Sequence, residues 1–168
     1  MNKLPLNIYF ILLGFTLMHS AYYYPQLPDW LASHFEGSGK ADNWSSKQGF
    51  FIVSGVILIF NIGIFVVLPW AMQRFGIVKV NVPNKAYWLD PERIDEFYVY
   101  FRNKMCWFGI VNLLFGLGVM HLVFIANLGD QILDNRAFLS FLGGYFVFVI
   151  LWLVSFFWKL GKDRPKKV

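Results

Sequence analysis

The sequence predicts an all-α membrane protein. It would have four transmembrane helices, an ordered outer loop, and a cytoplasmic amphipathic helix leading into the third span. Three observations predict this. First, four apolar runs, at about residues 6–24, 46–70, 105–128 and 137–158, hold no Asp, Glu, Lys or Arg beyond Lys47 at the start of the second. About 20 such residues cross a hydrocarbon core of about 30 Å. Second, the chain is 57% hydrophobic and 15% charged, whereas soluble domains hold about 45–50% apolar and about 25% charged residues. Third, the basic residues are unevenly placed. Twelve Lys and Arg (Lys3, those of 74–104 and those of 159–167) fall on one side of the four spans, and only Lys40, Lys47 and Arg136 on the other. The positive-inside rule then places both termini in the cytoplasm, with the inner (plasma) membrane as the location. The whole chain, 1–168, reads as one domain.

The first run, 6–24, is interrupted only by Asn7, Thr16, His19 and Ser20. His19-Ser20-Ala21 offers no small-x-small cleavage site, so the expectation is a retained span and not a signal peptide. The polar stretch 22–47 follows. Pro28 and Asp29 are read as opening a short helix through Phe35, which Gly37 and Gly39 break. Ser45 with Gln48 three residues on reads as a capping box that starts the second long helix. That helix carries Asn61 and reaches Pro69-Trp70.

Residues 71–104 form a second polar segment. Asp90 reads as an N-cap and Pro91 as a first helical residue. Ile94, Phe97, Tyr98 and Phe101 recur at amphipathic helical spacing. That face is either interfacial or packed beneath the bundle. No breaker separates it from the third run, so one continuous rod is expected. The third run carries Asn112 and His121, and the fourth carries Gly143-Gly144. Trp30, Trp44 and Tyr22–Tyr24 mark one interface, and Trp70, Trp88, Trp107 and Trp158 the other. The basic tail reads either as a topology signal or as a contact for anionic lipid. Cys106 is the sole cysteine, which excludes an intramolecular disulfide.

No reaction is legible. Walker A, GxSxG, HExxH, CxxC and GxGxxG patterns are all missing from the sequence, so it points to no catalytic, cofactor-binding or metal-ligating residue, and the cofactor is unknown. The basic residues flank apolar runs, so no nucleic-acid partner is expected. The lipid bilayer is the partner expected, with a membrane or cytoplasmic protein contacting Phe97 and Phe101. Chemistry in lipid falls to the polar side chains, each of which needs a partner or a role. His19 and His121 both lie roughly 8–10 Å below the outer surface, and His34 lies in the outer stretch near Asp42. Three readings stay open: a shared metal site, a ligand- or proton-sensing cluster, and separate histidines each bonded to a neighbour. Asn61 and Asn112 are expected to bond between helices or to line a polar path. No carboxylate lies within a span, which argues against an ion-coupled pump.

Two stretches carry a resemblance. In the first, Leu27-Pro28, His34-Phe35, Gly39, Asp42, Trp44 and Ser46-Lys47 occur in order. The second contains Asn81, Pro83, Asn84, Lys85, Tyr87, Trp88, Pro91 and Arg93. Together they resemble a bacterial four-helix membrane domain of unknown function, which also forms the N-terminal half of SdpI-type immunity proteins. Ala32 and Glu36 depart from the proline and asparagine frequent there. The resemblance implies the fold, the inner-membrane location and a role in envelope stress or immunity. The expected function is non-enzymatic ligand sensing. A small-solute transport subunit comes second, and a metal-dependent membrane enzyme third.

Overall fold

A computed structural model describes residues 3–76 and 81–162. Four helices in it are long and apolar enough to cross a membrane: Leu4–Tyr23, Lys47–Phe75, Ile94–Leu128 and Asn135–Lys162. The element order is α1 (Leu4–Tyr23), β1 (Trp30–Phe35), β2 (Ala41–Ser46), α2 (Lys47–Ile62), a π-turn (Gly63–Val67), α3 (Leu68–Phe75), α4 (Lys85–Trp88), α5 (Ile94–Leu128) and α6 (Asn135–Lys162). Helix α5 is the centre of the fold, packing against α1, α2, the π-turn, α3 and α6. The end of the basic tail, 163–168, lies outside the described residues.

The first departure from expectation is at the loop. Residues 30–35 are a strand, not a short helix, and pair antiparallel with 41–46. The all-α expectation is therefore corrected by a two-stranded sheet. The glycines that were read as helix breakers make the hairpin turn. Gly39 has φ +87°, and a Cβ on it would come within 2.5 Å of the Leu133 carbonyl oxygen. Its own carbonyl accepts from Leu133 N at 2.8 Å. A side chain here would both strain the backbone and push the loops apart.

The cap of α2 also moves by one residue. Ser46, not Ser45, is the N-cap, and its hydroxyl accepts from Gly49 N at 3.1 Å. The second span then runs past Trp70 to Phe75. Pro69 has no N–H to donate and would crowd the carbonyl four residues back. Just before it the backbone widens, with Leu68 N reaching back five residues to Gly63 O. The wider turn accommodates the proline without ending the rod.

At the start of α5, Asp90 is not the helix cap. Its carboxylate accepts from Glu92 N at 2.9 Å in a local turn, and the helix begins at Ile94 with no side-chain cap. From there it is one rod through Leu128, as the lack of a breaker implied. Its amphipathic first turns pack beneath the bundle. Phe97 and Tyr98 are buried with Met72, Val82, Trp88, Phe156 and Leu160. Phe97 is fully buried and Phe101 half-buried.

Candidate functional site

The hairpin is bolted to the helices by polar side chains. Asn127, buried near the end of α5, accepts from Ala32 N at 2.7 Å and donates to Ala32 O at 3.0 Å and to Val123 O at 2.9 Å. Its amide thus pairs with β1 as a neighbouring strand would. Lys47 donates to Leu27 O at 2.9 Å and lies 3.2 Å from the Asp29 carboxylate. On the far side, Trp44 Nε1 donates to Gln131 Oε1 at 3.1 Å, and Asn135 Nδ2 to Gly37 O at 2.7 Å. Leu27 is buried against Leu31 and Phe124. Phe35 packs on Val123, Ala126 and Leu133, while Pro28 stays exposed. The cap is therefore built from both loops at this end of the bundle.

The histidines divide. His19 Nε2 and His121 Nδ1 are 3.2 Å apart, one donating and the other accepting. His19 stacks on Phe124 with centroids 5.6 Å apart and leans on Tyr23 at 4.8 Å. Its Nδ1 is buried with no hydrogen-bond partner among the described residues. His34 instead pairs with Asp42 across the hairpin, Nδ1 to Oδ1 at 2.5 Å, on the exposed face. Among the described residues no three His, Cys, Asp or Glu side chains are grouped to hold a metal ion.

The two intramembrane asparagines bind between helices. Asn61 Oδ1 accepts from the Tyr9 hydroxyl at 2.6 Å, joining α2 to α1. Asn112 Oδ1 accepts from the Tyr145 hydroxyl at 3.1 Å, joining α5 to α6. Both also line a groove of about 590 Å³ between α2 and α5. The groove starts at the hairpin beside Ser33 and Ser45 and descends past Val53, Ile57 and Met120 to the two amides. The Ser45 hydroxyl is buried and has no hydrogen-bond partner among the described residues. The hydroxyls of Thr16 and Ser54 turn back to carbonyls of their own helices, which leaves most of the wall apolar.

The second motif lies at the opposite end and acts as a clasp. Asn84 is left-handed, at φ 53°. Its Nδ2 donates to Leu160 O at 2.9 Å and Gly161 O at 3.0 Å. Trp88 Nε1 donates to the same Leu160 carbonyl at 3.1 Å. These bonds satisfy the end of α6, where helical carbonyls lose their partners. Arg93 Nη1 donates to the Tyr87 hydroxyl at 2.7 Å. Pro83 is half-buried, while Asn81 and Lys85 are exposed. Sequence reasoning missed Asn127, Tyr9 and Tyr145. A buried amide at a span end was the available signal for Asn127, but its strand partner was read as helix.

Residues 11–58 match the family described as a domain of unknown function, DUF1648. The match covers most of α1, the hairpin and most of α2, and does not reach the clasp motif. No curated protein and no solved structure matches the chain.

Proposed function

We propose that this chain is an inner-membrane protein that binds an apolar or amphipathic ligand without chemistry, as a sensor or immunity-type protector of the cell envelope. Both termini lie in the cytoplasm in this reading, and the hairpin faces outward. The groove between α2 and α5 carries the proposal. Its volume of about 590 Å³ falls in the range of small-molecule sites, about 300–1,000 Å³. An apolar wall with a few polar groups at the ends suits a ligand with a long apolar body. The buried Ser45 hydroxyl at the hairpin end offers a hydrogen bond to its head. The resemblance to SdpI-type immunity proteins and the matched residues 11–58, which include one wall of the groove, support the same reading.

The test is a photo-crosslink. Benzoylphenylalanine at Ile57, which lines the groove, is irradiated in cells beside the same residue at Ile59, which is similarly exposed but does not line it. A discrete adduct at Ile57 alone is expected, and identical bulk-lipid adducts at both positions overturn the reading. Solute transport is the second reading, favoured by the amides at the foot of the groove. Each amide oxygen already accepts a tyrosine hydroxyl, which suits a fixed floor better than a path.

A further inference from the structure

A second depression lies between α5 and α6, away from the groove. It encloses about 570 Å³ and is lined by Tyr100, Lys104, Trp107, Phe148, Trp152 and Ser155, among others. We propose that it holds an anionic phospholipid, with Lys104 taking the phosphate and the aromatic wall taking an acyl chain.

Depth is the first argument. Lys104 stands 24 residues before Leu128, the last residue of α5, which is about 36 Å at 1.5 Å per residue. Ser155 stands 20 residues after Asn135, the first of α6, which is about 30 Å. The hydrocarbon core is about 30 Å thick. Both residues therefore lie at the headgroup level of the leaflet opposite the hairpin.

Charge is the second. Lys104 is half-buried between two helices, and no carboxylate pairs with it among the described residues. Its Nζ donates to Ser155 Oγ at 2.8 Å and sits 5.8 Å from the Tyr100 ring centroid. An ammonium has three protons, so an acceptor is still wanted. The two neighbouring hydroxyls are already engaged. Ser155 Oγ accepts from Lys104 and donates to Trp152 O at 2.9 Å. The Tyr100 hydroxyl points at the carbonyls of Ser155 and Phe156. A lysine at this level carries its ammonium to the headgroups, where a lipid phosphate supplies the counter-charge.

Shape is the third. Trp152 Nε1 donates to Lys104 O at 3.0 Å, which fixes the two helices across the depression. Trp107, 41% exposed, stands at its rim. Phe148 and Leu151 extend the wall toward the membrane interior. Basic pockets between spans at this depth are where anionic headgroups bind.

Native mass spectrometry in detergent tests this, with phosphatidylglycerol and phosphatidylcholine of identical chains titrated in turn. The wild type should retain phosphatidylglycerol about fivefold better. Lys104→Gln should bring the ratio near one. Lys104→Arg should preserve it, and so should Lys85→Gln, at an exposed lysine. A wild-type ratio near one, or a Lys104→Gln variant with the ratio intact, overturns the proposal. So does full displacement of the lipid by equimolar glycerol phosphate, which would make the site one for a soluble anion. If Lys104→Gln does not assemble, Trp107→Ala at the exposed rim should lower retention of both lipids, and unchanged retention overturns the acyl-chain half.

Discussion

The indole N–H of Trp88 donates to the main-chain carbonyl of Leu160, 3.1 Å away and 72 residues further along the chain. The bond ties the polar segment after the second span to the end of the fourth. Asn84 reaches the same carbonyl. Trp88→Phe should cost about 1 kcal/mol, because Leu160 O keeps one donor. Asn84→Ala should cost more, about 2–3 kcal/mol. It loses two hydrogen bonds and puts alanine in a left-handed conformation. Thermal denaturation in detergent, followed by circular dichroism, ranks the two.

At the other end, Asn127 holds β1 to α5. Leucine at this position leaves both polar groups of Ala32 without their partner in a buried place. The expected loss is on the order of 2–3 kcal/mol. The effect should be local. Hydrogen exchange at β1 amides should rise at least tenfold while α6 amides keep their protection.

Three helical segments meet at Gly109. A Cβ there would lie 2.7 Å from Phe65 Cβ and 2.9 Å from Tyr9 Cε2. Phe65 belongs to the π-turn and cannot yield without moving the helix. Gly109→Ala should destabilise by about 1–3 kcal/mol. Gly14→Ala, where nothing lies within 4 Å, should be neutral or slightly stabilising. Paired melts of the two variants separate packing from propensity.

His19 and His121 share one hydrogen bond at 3.2 Å. His19→Phe and His121→Phe should therefore not add. A double-mutant cycle on thermal stability should give a coupling of about 0.5–2 kcal/mol. Additive losses would mean that the contact contributes nothing.

The proposed sidedness has its own test. Lys40 belongs to the hairpin turn and Lys162 is the last residue of α6. A membrane-impermeant amine reagent applied to intact cells should modify Lys40 and spare Lys162. Modification of both from one side would undo the assignment of faces.

Much of the fold was legible because hydrocarbon imposes a simple rule. A span must be apolar for about 20 residues and satisfy its own backbone. The unbroken rod of α5 followed from the lack of Gly or Pro between Ile94 and Met105. The hairpin was misread because Pro28 and Asp29 resemble a helix start locally. The strand wins because its edge finds the Asn127 amide and its turn finds Leu133. The Asp90 cap failed for a similar reason: its carboxylate met Glu92 N in a turn before the helix could form.

The site was legible only in parts. Equal depth along two helices suggested that His19 and His121 could meet, but depth says nothing about which way a helix is turned. His34 was grouped with them and with Asp42 by its place in the sequence, and the hairpin pairs it with Asp42, apart from the His19–His121 bond. The second motif was visible as a pattern of residues, yet its role as a clasp on α6 depends on a partner far along the chain.

The sequence alone determined four membrane-long helices, because burial in lipid is a property of each segment by itself. The tertiary structure alone decided the hairpin, the histidine pair, the groove beneath it and the Lys104 depression. Each of these is made by contacts between segments distant in the chain, and rotation of one helix about its axis would abolish them without changing a residue's hydropathy.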